Sequence, residues 1–328
     1  MRSILAVLAA VMLCGFASAA PGLDGPQAIG AYLNGVFPTT TPGPSGTWGV
    51  SDAFPNLTFV DPVRMVKDPV SAQHVYIVCR NGDIWRIPFS SSATNAQKVK
   101  FLDRRANTWG YWDTGMLAMA FHPEFGVTGS PNRGYVYVFY QYIPQQYSNP
   151  QVGNSSYMRL SRFTVPDGAT AVDPASEYVL IQQYDRHNWH NGGQMFFGPD
   201  GFLHVVIGDE GDANDSFNVT QKLNSRLFSG ILRIDVDRDP TKSHPIRRQP
   251  AQISMPNGWA QSFTQGYYIP NDNPWQDPDG GILEEFWSIG TRSPHSMHFD
   301  KATGEIWIAE VGQGAREEIT IAKKGGNH

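Results

Sequence analysis

The residues most able to carry out chemistry lie in the stretch NWHNGGQMFFGPDGFLHVVIGDEGD, residues 188–212. The imidazole of His190 can accept a proton from a substrate hydroxyl, and the carboxylate of Asp209 can orient that ring or stabilise its charged form. The tetrapeptide GPDG at residues 198–201 predicts a tight turn between two strands. The loops at the other ends of these strands then lie side by side, which brings His190 and Asp209 to one end of a hairpin.

The same pattern also suits a purely structural role. His190 could cap a turn while Asp209 accepts backbone N–H groups, as polar residues in glycine-rich loops commonly do. The local sequence leaves both interpretations open. We expect His187, which precedes Trp189 in the approach to the hairpin, to lie on the surface.

A second group of candidate residues lies in the stretch FWSIGTRSPHSMHFD. Arg292 follows a strand end and precedes Pro294, which predicts a loop position. A guanidinium group there is suited to binding a carboxylate in bidentate fashion. The alternative is an ordinary ion pair with Glu284 or Glu285.

A third group, AEVGQGAREE, offers oxygen ligands for a hard cation. Gly312 and Gln313 could present backbone carbonyls to Ca²⁺. The oxygen-rich loop DEGDANDSFN lacks EF-hand spacing. CxxC, HExxH, P-loop and GxSxG motifs are missing from the sequence, which excludes the common zinc proteases, NTPases and serine hydrolases.

The elements that must position these residues are short β-strands rather than long helices. A recurring unit consists of an aromatic or apolar strand end, a turn with Pro or Gly, and a strand of alternating pattern. It occurs around residues 65–78, 121–138, 197–206 and 299–308. Four related hairpins indicate radial repetition, as in a β-propeller, at ~45 residues per blade. A β-sandwich is the alternative, but it does not explain the recurrence.

Composition places the chain among globular proteins with a large core. Of its 328 residues, 41% are hydrophobic and 17% are charged, and 33 glycines and 24 prolines favour frequent turns. The net charge of −5 and the lack of a basic stripe give no reason to expect nucleic-acid binding.

The N-terminus has the pattern of a secretory signal. Residues 1–20 combine an early arginine, a short apolar run and small residues before Pro21, and the run is too short for a membrane anchor. Residues 21–54 are rich in Pro, Gly and Thr and predict an arm, and residues 55–328 predict the propeller. Cys79 would then be the only cysteine of the exported protein, buried in an apolar strand. We therefore expect a secreted or periplasmic location without a membrane span.

Several stretches taken in order resemble the glucose/sorbosone dehydrogenase family. They are TGMLAMAFHPEF, HNGGQMFFGPDGFLHVVIGDEGD, FSGILRIDVD, YYIPNDNPW, EEFWSIGTRSP and GEIWIAEVGQGAREEITIAKKGGN. The family includes soluble glucose and aldose sugar dehydrogenases that use pyrroloquinoline quinone (PQQ), and also Hedgehog-interacting-like proteins. The resemblance implies an all-β fold, a six-bladed β-propeller with PQQ and Ca²⁺ over its central channel. It further implies that the chain, which ends at KKGGNH, is truncated before two further blades.

The resemblance also implies roles for individual residues. His190 matches the base that takes the proton of the sugar C1 hydroxyl, and Asp209 matches the acid that supports it. Arg292 and Asn214 are expected at the PQQ site. Asp113 is expected to face the substrate. Gly312 and Gln313 match the backbone positions that bind Ca²⁺.

The chain also departs from the family pattern. Trp189 replaces an aspartate before the base, and Ser293 replaces an asparagine after the arginine. The leading hypothesis is an exported quinoprotein that oxidises aldose sugars and passes electrons to an external acceptor. A binding module without catalysis is the second hypothesis. A lactonase-type propeller is the third, but the carboxylate and asparagine set it needs is not evident.

Overall fold

The fold is built from blade-like antiparallel sheets. The structure, a computed structural model, describes residues 49–144, 155–314 and 316–328, so the predicted signal peptide and most of the predicted arm lie outside the described residues. The first blade contains β1 (Pro62–Lys67), β2 (His74–Cys79), β3 (Asp83–Pro88) and β4 (Val99–Asp103), in that order across the sheet. Two single-turn 3₁₀ helices, Asn95–Gln97 and Arg105–Asn107, flank β4.

The second blade has the longest strands. It contains β5 (Met116–Phe121), β6 (Tyr135–Tyr142), β7 (Ser156–Thr164) and β8 (Asp173–Asp185), with the short β13 (Phe263–Thr264) added to its outer edge. Every residue of β5 is buried. A strand covered on both faces has no solvent-facing side, so its sequence, MLAMAF, is continuously apolar rather than alternating.

The third and fourth blades complete the described part of the ring. The third contains β9 (Met195–Phe197), β10 (Leu203–Ile207), β11 (Gly230–Ile234) and β15 (Phe286–Ile289). Between β11 and β15 the chain forms a separate two-stranded sheet of β12 (Ser243–Pro245) and β14 (Tyr268–Pro270). The fourth blade contains β16 (Pro294–Asp300), β17 (Glu305–Glu310) and β18 (Glu318–Ala322).

The innermost strands of the four blades surround one channel. A cavity of about 1010 Å³ is lined together by residues of β1, β5, β9 and β16, among them Met65, Met119, Phe196 and Phe299. Apolar side chains between neighbouring blades form the core; one cluster joins Leu117 and Phe139 of the second blade to Val205 and Leu232 of the third. Face-to-face stacking of sheets around an axis is the arrangement of a propeller.

The predicted hairpins are confirmed. The four recurring units correspond to β1–β2, β5–β6, β9–β10 and β16–β17, each an antiparallel pair. The sandwich alternative is wrong because the sheets are arranged around a channel rather than as two facing layers. The described residues hold four blade-like sheets, so the number of six blades stays a prediction. Cys79 is fully buried, and burial raises the pKa of its thiol to about 11.

Candidate active site

The hairpin β9–β10 sets the frame of the site. Phe197 pairs with Leu203 and Met195 pairs with Val205. The turn between the strands is closed by the Gly198 N–H, which donates to the Phe202 carbonyl at 2.9 Å. Because this turn occupies one end of the hairpin, the loops that contain His190 and Asp209 extend from the other end.

His190 and Asp209 are in direct contact at that end. The Nδ1 atom of His190 lies 2.6 Å from Oδ1 of Asp209, and both side chains are buried. The Gly211 N–H donates to the same carboxylate oxygen at 3.0 Å, and the Asp209 N–H donates to the Arg292 carbonyl at 2.9 Å. A carboxylate held in this way accepts the Nδ1 proton and leaves Nε2 as the basic nitrogen.

Asp113 approaches the same histidine from the second blade. Its Oδ2 accepts the His190 N–H at 3.1 Å, and the Asp113 N–H donates to the Asn188 carbonyl at 3.3 Å. The loop that contains His190 is therefore attached to the second blade through Asp113. His190 itself has a φ of +57°, a conformation that L-residues rarely adopt and that these contacts hold in place.

A buried ion-pair network, which the sequence reasoning missed, lies beneath the site. Glu210, directly after Asp209, is fully buried and pairs with Arg226 and, at 2.5 Å, with Arg186. Asp185 is also fully buried and accepts from the Asn191 side chain at 2.7 Å. Burial, followed by the charge of Glu210, raises the pKa of Asp185 well above its usual range. The sequence DEGD indicates an acidic loop, but the arginines that pair with Glu210 are distant in sequence.

Backbone conformations at the site are unusual. Ten described residues other than glycine have positive φ, and five of them lie between residues 190 and 215: His190, Glu210, Asp212, Asn214 and Asp215. Each such residue costs on the order of 1–2 kcal/mol relative to an ordinary conformation. Positive φ at this frequency indicates that the loops are held in one geometry by the surrounding network.

Arg292 lies beside the pair, in the loop before β16. Its Nη1 donates to the Val311 carbonyl at 3.0 Å, and its backbone N–H donates to Glu310. The alternative ion pair is wrong, because Glu284 pairs with Arg247 at 2.8 Å and Glu285 accepts from the Tyr267 hydroxyl at 2.7 Å.

The carboxyl group of Glu310, next to Arg292, is a further acid at this end of the ring. Burial, together with the charges of Glu318 and Asp209, raises its pKa to about 7, although the Arg292 N–H opposes the shift. A buried carboxyl group near a basic histidine and a guanidinium is typical of functional sites.

Asn214 and Gln313 bind each other. The Asn214 N–H donates to the Gln313 side-chain oxygen at 3.0 Å, and the Gln313 amide donates to the Asn214 side chain at 3.1 Å. Gly312 donates its N–H to Glu317 at 3.1 Å. The structure thus brings Asn214 to the predicted calcium loop, although the two positions are 99 residues apart.

A cleft opens beside Asp113, next to the loop that contains His190. It has a volume of about 460 Å³ and is lined by Asp113, Trp112, Gly192, Gly193 and Arg80, among others. This volume is within the range of small-molecule sites. His190 is not among the lining residues, but its loop borders the cleft, since Asp113 accepts the His190 N–H and Gly192 lies two residues further along the chain.

The position of His187 differs from the one expected from the sequence. His187 is half-buried rather than a surface residue, because its ring packs against Trp189 with 4.8 Å between ring centroids, and burial lowers its pKa.

No group of three or more His, Cys, Asp or Glu side chains in the described part of the chain could hold a metal ion. Within the same residues, no helix has the length and apolar character needed to cross a membrane.

The sheets and their arrangement around a channel define the fold as a β-propeller. The sequence profile of the Glucose / Sorbosone dehydrogenase family matches residues 62–260 and 247–328, so the chain belongs to this family. The crystal structure of the soluble aldose sugar dehydrogenase of Escherichia coli in the apo-form aligns with 82% of the chain and 62% of its own length, at a TM-score of 0.56 and 17% identity. At this low identity, the structural alignment shows a shared fold and nothing further.

Sequence relatives include both enzymes and proteins named for interaction. HIPL1 protein of Arabidopsis thaliana is 31% identical over 244 residues, covering 66% of this chain and 33% of that protein. Hedgehog-interacting protein of Homo sapiens is 28% identical over 201 residues, covering 60% and 26%. Quinoprotein glucose dehydrogenase B of Acinetobacter calcoaceticus is 23% identical over 214 residues, covering 65% and 39%. The aligned region is less than half the length of each of these relatives.

Proposed function

We propose that the protein is an exported dehydrogenase that oxidises the C1 hydroxyl of aldose sugars to lactones, with PQQ as its cofactor. The observation that carries this proposal is the buried contact of 2.6 Å between Nδ1 of His190 and Asp209, where the His190 loop borders a cleft lined by Asp113 and Gly192. A histidine whose Nδ1–H is held by a carboxylate is a general base at Nε2. Membership of the Glucose / Sorbosone dehydrogenase family supports a sugar as the substrate.

The chain's own residues perform the proton chemistry. His190 takes the proton from the C1 hydroxyl, and Asp209 stabilises the imidazolium that forms and keeps the ring in one orientation. Asp113 fixes the histidine loop through its bond to the His190 N–H and contributes a carboxylate to the cleft. PQQ, held near Arg292 and Asn214, would supply the acceptor for the C1 hydride, and an external electron acceptor would complete the cycle.

The residues around the pair fit an acidic quinone. The hydrogen bond of the Arg292 guanidinium goes to a carbonyl, not to a carboxylate, so its charge is available to an anionic ligand. In this proposal Asn214 lies beside Arg292 at the cofactor. A calcium site at Gly312 and Gln313 would use backbone carbonyls, water and cofactor oxygens, because the described residues offer no cluster of three metal-binding side chains.

A steady-state comparison tests the role of His190. Purified protein is supplied with PQQ, Ca²⁺, glucose and an artificial electron acceptor, alongside its His190→Ala variant. We expect the variant to bind PQQ like the parent and to lose turnover by at least about 100-fold. Equal turnover of the two proteins would show that His190 is not the base.

A non-catalytic binding module is the second candidate. The similarity to Hedgehog-interacting protein favours it, as do Trp189 and Ser293, the two positions that differ from the dehydrogenase pattern. In this case the protein would bind its partner without consuming sugar. Absence of PQQ binding in the same experiment would favour this function over the dehydrogenase.

A further inference from the structure

Exposed aromatic side chains gather at the mouth of the cleft. Among the described residues, Tyr111 is 54% exposed, Trp112 is 56% exposed and Trp189 is 39% exposed. Single exposed apolar residues need no explanation, but a contiguous group usually marks a binding surface. These three, together with the partly buried Trp109, form a surface that we call the aromatic platform.

The rings of the platform follow one another at regular steps. The centroids of Trp109 and Tyr111 are 6.4 Å apart with nearly parallel planes. The next steps, from Tyr111 to Trp112 and from Trp112 to Trp189, are 5.9 Å and 6.1 Å, with ring planes at 80° and 75°, so these rings meet edge to face. Such steps are comparable to the length of one pyranose unit in a glycan chain. The platform therefore offers ring faces in two orientations, one of them shared by Trp109 and Tyr111.

The platform is attached to the proposed catalytic residues. Trp112 directly precedes Asp113, and Trp189 directly precedes His190. Asp113 accepts the His190 N–H, so the turn and the histidine loop are joined at this point. Trp112 also lines the cleft itself. Trp112 therefore connects the cleft to the other rings of the platform.

The turn that presents Trp112 is rigid and unusual. Trp112 has a φ of +52°, a conformation that favours glycine over a bulky side chain. The Thr114 N–H closes the turn on the Tyr111 carbonyl at 3.1 Å, and Arg80 donates to the Trp112 carbonyl. A large aromatic ring kept exposed on a conformationally costly backbone points to a function for that ring.

Polar groups beside the platform suit hydroxyl recognition. Arg80, Asp113 and Arg64 line the same cleft and provide donors and acceptors next to the rings. Aromatic faces combined with adjacent charged hydrogen-bonding groups match the chemistry of a sugar, which has an apolar face of C–H groups and a rim of hydroxyls.

From these observations we propose that the aromatic platform binds a linear oligosaccharide whose reducing end occupies the cleft beside His190. The orientation of the chain rests on the proposed function, because oxidation at C1 requires the reducing end. The following units would contact Trp112 and then the parallel rings of Tyr111 and Trp109. The preferred substrate would then be a reducing oligosaccharide rather than a free monosaccharide.

Calorimetric titration of the cofactor-free full chain tests this proposal by a readout other than activity. The probes are cello-, malto-, xylo- and manno-oligosaccharides, each from the monosaccharide to the hexasaccharide. For at least one series, we expect the Kd to fall by about tenfold or more between the monosaccharide and the tetrasaccharide, since each aromatic contact adds affinity.

The variants Tyr111→Ala and Trp112→Ala should remove this dependence on chain length. Tyr111→Ala avoids any change at the strained position and guards against a folding defect in the second variant. Phe89→Ala is the matched control, because Phe89 is 58% exposed but lies outside the platform and outside the cleft lining. The control should keep the full length dependence.

Other outcomes overturn the proposal. Equal Kd values at all lengths in all four series would do so, as would a length dependence that survives both platform variants. Self-association that the platform variants abolish, without sugar binding, would assign the surface to a protein interface instead. Length-dependent binding without oxidation by PQQ-loaded protein would support the platform and reject the dehydrogenase function. Oxidation of glucose without length dependence would do the reverse.

Discussion

At the scale of single residues, the pair of His190 and Asp209 is the feature on which the proposed chemistry depends. Asp209→Asn would keep the size of the side chain but remove the charge that stabilises the imidazolium. We expect kcat for glucose to fall by about 10²- to 10⁴-fold, while the fold is retained. Steady-state kinetics together with circular dichroism would measure this.

Asp200→Asn provides the matched control on the same hairpin. Asp200 lies at the turn end, where its Oδ2 pairs with Arg233 at 2.8 Å. The control should lower stability slightly and leave kcat unchanged. If the two variants lowered kcat equally, the effect would come from the hairpin and not from the base.

Glu210 supports the site through structure rather than chemistry. Its fully buried carboxylate faces Arg226 and Arg186. Glu210→Gln would leave the buried guanidinium of Arg226 without its countercharge, which typically costs about 3–5 kcal/mol. Urea unfolding should show this loss. Asp167→Asn, at the exposed pair with Arg133, is the control and should change the stability little. An equally small effect of Glu210→Gln would show that the buried ion pairs of Glu210 do not stabilise the fold.

Some side-chain contacts of the site could be predicted from the sequence and others could not. His190 and Asp209 could be placed together because the turn at residues 198–201 fixes which loops meet. The partners of Glu210 could not be identified, because Arg226 and Arg186 are 16 and 24 residues away and the hydrophobic pattern does not encode ion-pair partners.

At the scale of elements, the turn of Trp112 holds a residue where glycine would fit better. We expect Trp112→Gly to be more stable than Trp112→Ala by about 1 kcal/mol. Both variants lose the ring, so the difference between them reports only the backbone. Comparison of their urea midpoints would measure it. Equal stability, or a more stable alanine variant, would show that the left-handed conformation is not required in solution.

Many of the strands could be predicted from the sequence. The recurring hairpin units predicted β2, β6, β10 and β17, each preceded by a turn with Pro or Gly. The turn of Trp112 could not be predicted, because tryptophan ordinarily argues against a positive φ and the cause lies in Thr114 and Arg80.

At the scale of the whole molecule, one buried acid should affect the pH dependence of unfolding. Burial raises the pKa of Glu285 from 4.5 to about 7, and its carboxyl accepts the Tyr267 hydroxyl at 2.7 Å. The folded state therefore holds a proton that the unfolded state releases between these values. This contribution to stability is fully present below about pH 4.5 and is lost as the pH rises through about 7.

Glu285→Gln tests this linkage. The free energy of unfolding of the variant, relative to the parent, should increase between pH 5 and pH 8 by on the order of 2–3 kcal/mol. Urea titrations at several pH values would give this difference. A difference that stays constant over this range would show that Glu285 does not hold a proton in the folded protein.

The arrangement of blades was only partly accessible from the sequence. The repeated hairpins indicated a propeller, but the contacts between distant blades could not be inferred from local patterns. Arg64 of β1 donates to Ser296 of β16 at 3.0 Å, across 232 residues of sequence. Such a contact depends on how all the intervening sheets stack, which is a property of the assembled core.

In the proposed function, His190 and Asp209 handle the C1 hydroxyl proton of a sugar while PQQ would supply the hydride acceptor. The most direct measurement is the absorption spectrum of protein loaded with PQQ and Ca²⁺, recorded without oxygen or acceptor before and after addition of glucose. We expect glucose to reduce the bound cofactor stoichiometrically in the parent protein and not at all in His190→Ala. If no aldose changes the spectrum of the loaded parent protein, the proposed dehydrogenase function is wrong.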